Sequence, residues 1–382
     1  MSGPLDSLQV VLAGGIGPAP YCAMLLADMG AQVLRIERPE DGPAADPLAL
    51  PVDVFSRGQH SIVLDLKRPD DVETAGALIA RSDVLVEGFR PGVMERIGLG
   101  PDVCLERNAG LVYGRVTGWG RGGPLEQAPG HDINYIALTG ALDAIGPAGG
   151  APVVPLNLIG DFAGGGQQLA TGILAALVER ARSGYGQVIE AAMIDGVSSL
   201  MTMNHALAHF GRMSGARGEN LLDGGAPFYG VYECADGRYI AVGAVEPAFY
   251  RQLLALCNIP DPAGQADRFD ATHWPEWRTC FADVFRQRPR DEWCAHPLAA
   301  AACVSPVLKI DEVSKHPHHR ARQGFVTVAG VTLPAPGPRF SRTACAVPEA
   351  FVRAGADSDA VRAALTGEDD SRNDTQPRMT GR

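Results

Sequence analysis

Apolar residues in the first third of the chain fall in short unbroken runs, separated by stretches with helical spacing. Val10, Val11 and Leu12 form the first run. A glycine turn follows, then a helical stretch carried by Met24, Leu25 and several alanines, then the run AQVLRIE over 31–37. The pattern repeats as SIVLDL (61–66), DDVETAGALIARS (70–82) and DVLVEGF (83–89), and GLVYGRVTGW (110–119) adds a further strand. Strands alternating with helices in this way predict an open parallel sheet.

The period then changes. Two long helices are predicted, over 161–184, stopping near Gly184, and over 191–211, the second leading out of the first domain. From about Gly215 the texture turns to loop, and then to the β-rich stretch 226–250 with a hairpin turn at ECADGRY. Pro247 suits the first position of a new helix. Trp274, Trp277, Phe281, Phe285 and Trp293 supply a second small core, 326–343 reads as extended chain, and the polar tail from Gly367 reads as disordered.

Composition narrows the possibilities. With 382 residues, two domains are expected; 46% hydrophobic and 20% charged residues describe a globular chain. The net charge of −11 argues against a nucleic-acid binder. No apolar run approaches a membrane span, and the amino terminus lacks the basic region of a signal peptide. The eight cysteines contain no C-x-x-C pair, so they read as reduced core residues in a cytoplasmic protein, with no metal or redox motif. The turn GGIGPAP lacks the third glycine of a dinucleotide loop and carries Pro18 and Pro20 where free N–H groups are needed, which argues against an NAD site.

Three acidic or basic positions draw attention. His131 lies in APGHDINYIALTG, with Asp132 able to cap a helix whose apolar face is Ile133, Ile136, Ala137 and Ala141; alone, it reads as a turn histidine. Asp161, at the start of a long helix, reads first as a cap. Gly164, Gly165 and Gly166 behind it cost helix propensity, roughly 1 kcal/mol each against alanine, and would let another molecule approach the backbone. Glu246, before Pro247, is a poorer cap than aspartate; bonded to an imidazole, its carboxylate would fix the ring's tautomer, provided the second domain or a partner subunit brought it to His131. Arg35, Arg38, Arg57, Lys67, Arg68, Arg90 and Arg96 cluster near strand ends, which in an acidic chain points to an anionic ligand or, residue by residue, to solvated surface. Met193, Met201, Met203 and Met213 lie along or just beyond one helix, as core or as an adaptable surface for acyl chains.

The segments GHDINY, PLNLIGDFAGGG, GQVIEAAMIDG, LLDGGAPFYGVYECADGRYIAVGAVEPAFY and ACVSPVL resemble, in order, the family III CoA transferases and, within them, the α-methylacyl-CoA racemase subgroup. The resemblance runs from Leu5 to about Thr343. It implies an α/β fold with a Rossmann-like large domain (1–195 with 325–366), a smaller α+β domain (196–324) and an interlocked homodimer. It implies catalytic roles for His131, Asp161 and Glu246, with proton removal on one face of the α-carbon and delivery on the other. The enolate oxygen would be met by N–H groups at the helix start around Asp161. Contacts to the coenzyme A part of the substrate would fall on Arg38, Arg57, Leu64, Asp65, Leu66, Lys67, Gly88, Phe89, Arg90, Arg96, Gly130, Asp132, Ile133, Asn134 and Tyr135; no separate cofactor or metal is implied.

Three positions depart from the family pattern: Leu12-Ala13 for Glu-Leu, Gln59 and His60 for arginines, and Ala301 for Asp. Two other readings stay open. A CoA transferase would use Asp161 as nucleophile, and a non-catalytic relative would bind acyl-CoA without turnover.

Overall fold

The computed structural model describes residues 3–39, 50–213, 215–260 and 267–366. They form two compact units, one drawn from 1–135, 157–197 and 325–382, the other from 136–156 and 198–324. The tail expected from Gly367 onwards lies outside the described residues.

The first unit is built on six parallel strands in the order β3-β2-β1-β4-β5-β6. They are β1 Gln9–Leu12, β2 Gln32–Glu37, β3 His60–Val63, β4 Val84–Glu87, β5 Val112–Thr117 and β6 Val188–Ala192. Alternation splits the apolar runs between two faces. Val10 and Leu12 join Val84, Val86, Val112 and the helix residues Leu169 and Ile173 on one side. Val11 joins Ile62, Leu85 and Tyr113 with Ile79 and Met94 on the other. The six strands thus have helices on both faces, the arrangement that continuous apolar runs demand. Leu12 and Ala13, which stand where the family pattern has Glu-Leu, are both 1% exposed and serve as core.

Strand order reverses between β1 and β4, and ligands of such sheets bind beyond the carboxyl ends of the strands at that point. The loop after β1 has Gly14, Gly15 and Gly17 at positive φ (102°, 115° and 64°) before helix Pro18–Asp28. A side chain on Gly15 would collide with Gly88, just beyond β4.

Four expectations need correction. β6 is a strand that the apolar pattern does not predict, and its last two residues, Ala191 and Ala192, fall at the start of the helix expected over 191–211; it is an edge strand with one partner, so its half-buried Val188 and Ile189 give no long apolar run. The predicted helix is two helices, Met193–Leu200 and Thr202–His209, parted at Met201 and divided between the units. Residues 136–156, expected in the first domain, group with the second unit, where Arg217 donates to the Asp143 carbonyl and carboxylate and to the Gly150 carbonyl. The extended stretch near 330 is a hairpin, β10 Phe325–Val328 with β11 Val331–Pro334, turning at Ala329 and Gly330 with positive φ.

In the second unit, the hairpin β7 Tyr229–Glu233 with β8 Tyr239–Gly243 turns as read, and a third strand, β9 Val304–Pro306, joins β8. In sequence order, the three-residue β9 was too short to recognise. Phe228, Tyr232, Phe281, Phe285 and Trp293 form this unit's core.

Candidate active site

Asp161 does not cap an α-helix. It sits in the first turn of a π-helical segment, Leu158–Gln167, that runs into α-helix Gln168–Ser183 and ends at Gly184 in the left-handed conformation. π-Helical turns recur at functional sites. The N–H of Asp161 donates to Asp132 Oδ2 at 2.7 Å, so Asp132 holds this segment rather than capping its own helix. One of the backbone donors expected to meet an enolate oxygen around Asp161, its own N–H, is therefore already engaged. His131 stands one residue before helix Asp132–Ala137; its carbonyl accepts from Asn134 and Tyr135, its N–H donates to Asn134 Oδ1 at 3.0 Å, and its side chain is exposed.

The glycines behind Asp161 have a packing role. A Cβ on Gly164 would lie 2.7 Å from Val197 Cγ2, one on Gly165 2.9 Å from Met193 Cγ and Pro18 Cβ, and one on Gly166 2.7 Å from the Pro18 carbonyl. All three are buried, so they admit neighbouring parts of the same unit rather than a ligand. Gly17 faces the site directly, since its Cβ would lie 3.2 Å from Asp161 Oδ2. Phe162, next in sequence, packs on Tyr21 and Phe55 with ring centroids 4.8 and 5.8 Å apart.

Burial pushes the Asp161 carboxyl above the ordinary aspartate range. The hydrogen bond from Asn157 Nδ2 to Oδ2 at 3.0 Å opposes this, the negative charge of Asp132 adds to it, and the charge of His131 opposes it. A carboxyl raised in this way both takes and gives protons nearer neutrality than a solvated one. Asn157, four residues before Asp161, was missed as a site residue; its spacing of about one turn was the available signal. Tyr135 closes the loop by donating its hydroxyl to the Gly130 carbonyl at 2.5 Å, and burial followed by the Asp161 charge raises its own pKa.

The structure distributes the expected CoA contacts within the first unit. Leu66, Lys67 and Arg96 line a groove of about 960 Å³, together with Arg107, a cation outside the expected set. Arg38, Lys67, Arg90 and Arg96 are exposed. Asp65 shapes the turn before Lys67, its Oδ1 accepting the Lys67 N–H at 3.1 Å. Leu64 is core. Phe89 lies over Gly14, and Gly88 packs on Ala19. Arg57 differs: it is 4% exposed, its guanidinium is paired with the Asp28 carboxylate and it donates to the Pro334 carbonyl at 2.9 Å, so its charge is spent inside the unit. At the two departures beside it, buried Gln59 accepts from Arg35 and donates to the Phe55 carbonyl, while His60 pairs with Asp357.

Glu246 belongs to the second unit, preceding helix Pro247–Leu256; it is exposed and its side chain makes no capping bond. Met193 is 6% exposed within the first unit's core, whereas Met201, Met203 and Met213 lie in the second. The four are divided between the units, because the chain changes unit after Val197. Among the described residues, no group of three or more His, Cys, Asp or Glu is placed to hold a metal, and no helix is long and apolar enough to cross a membrane.

A family model for CoA-transferase family III matches residues 5–357. The chain belongs to this family. It is similar to the alpha-methylacyl-CoA racemases of Mus musculus, 43% identical over 348 residues (91% of this chain and 88% of that protein), and Homo sapiens, 43% identical over 340 residues (89% and 87%). Among solved structures, it is similar to a CaiB/BaiF family protein from Brucella suis (TM-score 0.80, 25% identity, 96% of this chain and 100% of that one). Rv3272 from Mycobacterium tuberculosis gives a TM-score of 0.77 at 27% identity, covering 94% and 99%. Both structural relatives share the α/β fold described above. Within CoA-transferase family III, the racemase relatives are isomerases, and a transferase relative, the succinyl-CoA–L-malate CoA-transferase beta subunit of Chloroflexus aurantiacus, is 29% identical over 360 residues.

Proposed function

We propose that this protein is an isomerase that interconverts the (2R)- and (2S)-forms of 2-methylacyl-CoA thioesters by moving the α-proton. The observation that carries the reading is the bond from the Asp161 N–H to Asp132 Oδ2, which ties together the segments of a pair: Asp161, a half-buried carboxyl raised by burial, and His131, an exposed imidazole next to Asp132. Racemisation needs a base on one face of the α-carbon and an acid on the other, with roles exchanging by direction. One of the pair removes the proton as the C–H electrons move into an enolate, and the other returns a proton to the opposite face. Glu246 is assigned the task of fixing the His131 tautomer, from the second unit of the same chain or of a partner. The groove with Lys67, Arg96 and Arg107 supports binding of an anionic coenzyme A moiety.

The active form is taken to be a homodimer, supported by the exposed apolar residues Leu200, Met203 and Phe210 around a helix that buries no residue. The eight unpaired cysteines support a reducing, cytoplasmic setting, and the substrate class places the enzyme in lipid metabolism.

The test is α-proton exchange of both enantiomers in deuterated buffer, with chirality read alongside, for wild type, His131→Ala and Asp161→Asn. Exchange with inversion from both enantiomers, reduced at least about 100-fold in each variant, is expected for residues acting as acid and base. Acyl exchange with a free acid in place of inversion would make Asp161 a nucleophile and the protein a transferase.

A further inference from the structure

We propose that Asp132 is a positioning residue for Asp161, holding its main chain with one carboxylate oxygen and setting the charge that its carboxyl faces. The inference rests on the racemase reading, because it presumes proton transfer at Asp161. Asp132 is 7% exposed, and its Oδ2 takes the Asp161 N–H at 2.7 Å. Its other oxygen, Oδ1, is buried without a hydrogen-bond partner. A carboxylate oxygen buried and unbonded destabilises a fold, and such local violations gather at functional sites. Gly160 makes the clamp possible: a Cβ there would lie 2.5 Å from Asp132 Oδ2 and displace the carboxylate from the main chain it holds.

Other groups surround the Asp161 carboxyl. Asn157 bonds it from the same segment, His131 and Tyr135 flank Asp132 in sequence and interact with it through space, and Gly17 abuts it from the loop after β1. Arg90 acts on Tyr135 from the loop after β4. Asn157 and His131 favour the ionised carboxylate, whereas Asp132 disfavours it. Asp132 and Asn157 therefore pull the same group in opposite directions, and substituting each should move it oppositely. The clamp also joins the segments that carry the two proposed proton-transfer groups, since Asp132 is the residue after His131 and binds the backbone of Asp161. A shift of either segment would be felt by both groups.

The experiment measures kcat and KM for racemisation of a 2-methylacyl-CoA across pH in wild type, Asp132→Asn, Asp132→Ala and Asn157→Ala, with circular dichroism as a fold check. Asparagine keeps an oxygen that can accept the Asp161 N–H and removes only the charge. Its KM should stay within about twofold of wild type while the acid limb of kcat/KM moves to lower pH. The ratio of variant to wild-type activity then rises as pH falls. Asp132→Ala should move the limb the same way and also lose kcat, about 100-fold for a misplaced reacting group. Asn157→Ala should move the limb to higher pH. An acid limb left in place by both Asp132 variants overturns the positioning role, whatever happens to kcat. Wild-type exchange retained in Asp161→Asn overturns the racemase reading instead.

Discussion

Glu87 offers a stability prediction that follows from the sheet itself. It ends β4, is 5% exposed, and stands opposite Arg115 in the register with β5. Its Oε2 accepts the Phe89 N–H at 2.8 Å, which shapes the turn carrying Gly88 and Arg90. Burial, the largest influence, pushes its carboxyl from 4.5 up to about 7 against the Phe89 bond and the Arg115 and Arg121 charges, with Glu95 adding to the rise. Folding therefore makes this group harder to ionise. Its contribution to stability is fully present below about pH 4.5 and is lost as pH rises through about 7. At 1.36 kcal/mol per pH unit, the loss between pH 5 and pH 8 is about 2.5 kcal/mol. Glu87→Gln keeps an acceptor for Phe89 and has no proton to lose. Urea unfolding followed by circular dichroism at pH 5 and pH 8 measures the effect. The difference in unfolding free energy, variant minus wild type, should grow by about 2.5 kcal/mol from the lower to the higher pH, other titrations cancelling. A difference that stays constant would refute the assignment of a buried, near-neutral carboxyl at the end of β4.

Three further outcomes are expected. Arg57→Ala strands the Asp28 carboxylate, 3% exposed, and should lower the unfolding free energy by about 3–5 kcal/mol; adding Asp28→Leu should recover much of it, and urea midpoints decide. Gly164→Ala places a methyl 2.7 Å from Val197 Cγ2 and should cost about 1–3 kcal/mol by thermal unfolding, relieved when Val197→Ala is combined with it. Glu246→Gln should leave unfolding within about 0.5 kcal/mol of wild type, since the side chain makes no capping bond. The same variant should slow α-proton exchange at least about tenfold if it orients His131, as deuterium incorporation would report.

The sequence by itself determined the parallel sheet, because β1, β2, β4 and β5 are buried on both faces and leave short runs rich in apolar residues, with glycines and prolines marking the loops between them. It also determined the residues His131 and Asp161 as candidates, through a combination of turn chemistry and family resemblance. Edge and short strands were illegible: β6 has one partner and β9 has three residues, so neither builds a periodic signal. What tertiary structure decided is the use made of local features. Asp132 looks like a cap for its own helix and instead binds a main chain 29 residues away. Gly164 to Gly166 look like an opening for a ligand and instead let Pro18, Met193 and Val197 approach. Arg57 looks like a free cation and is consumed by Asp28. In each case, a short stretch of chain fixes what a residue can offer, whereas its partner is chosen by segments distant in sequence, whose approach no local pattern encodes.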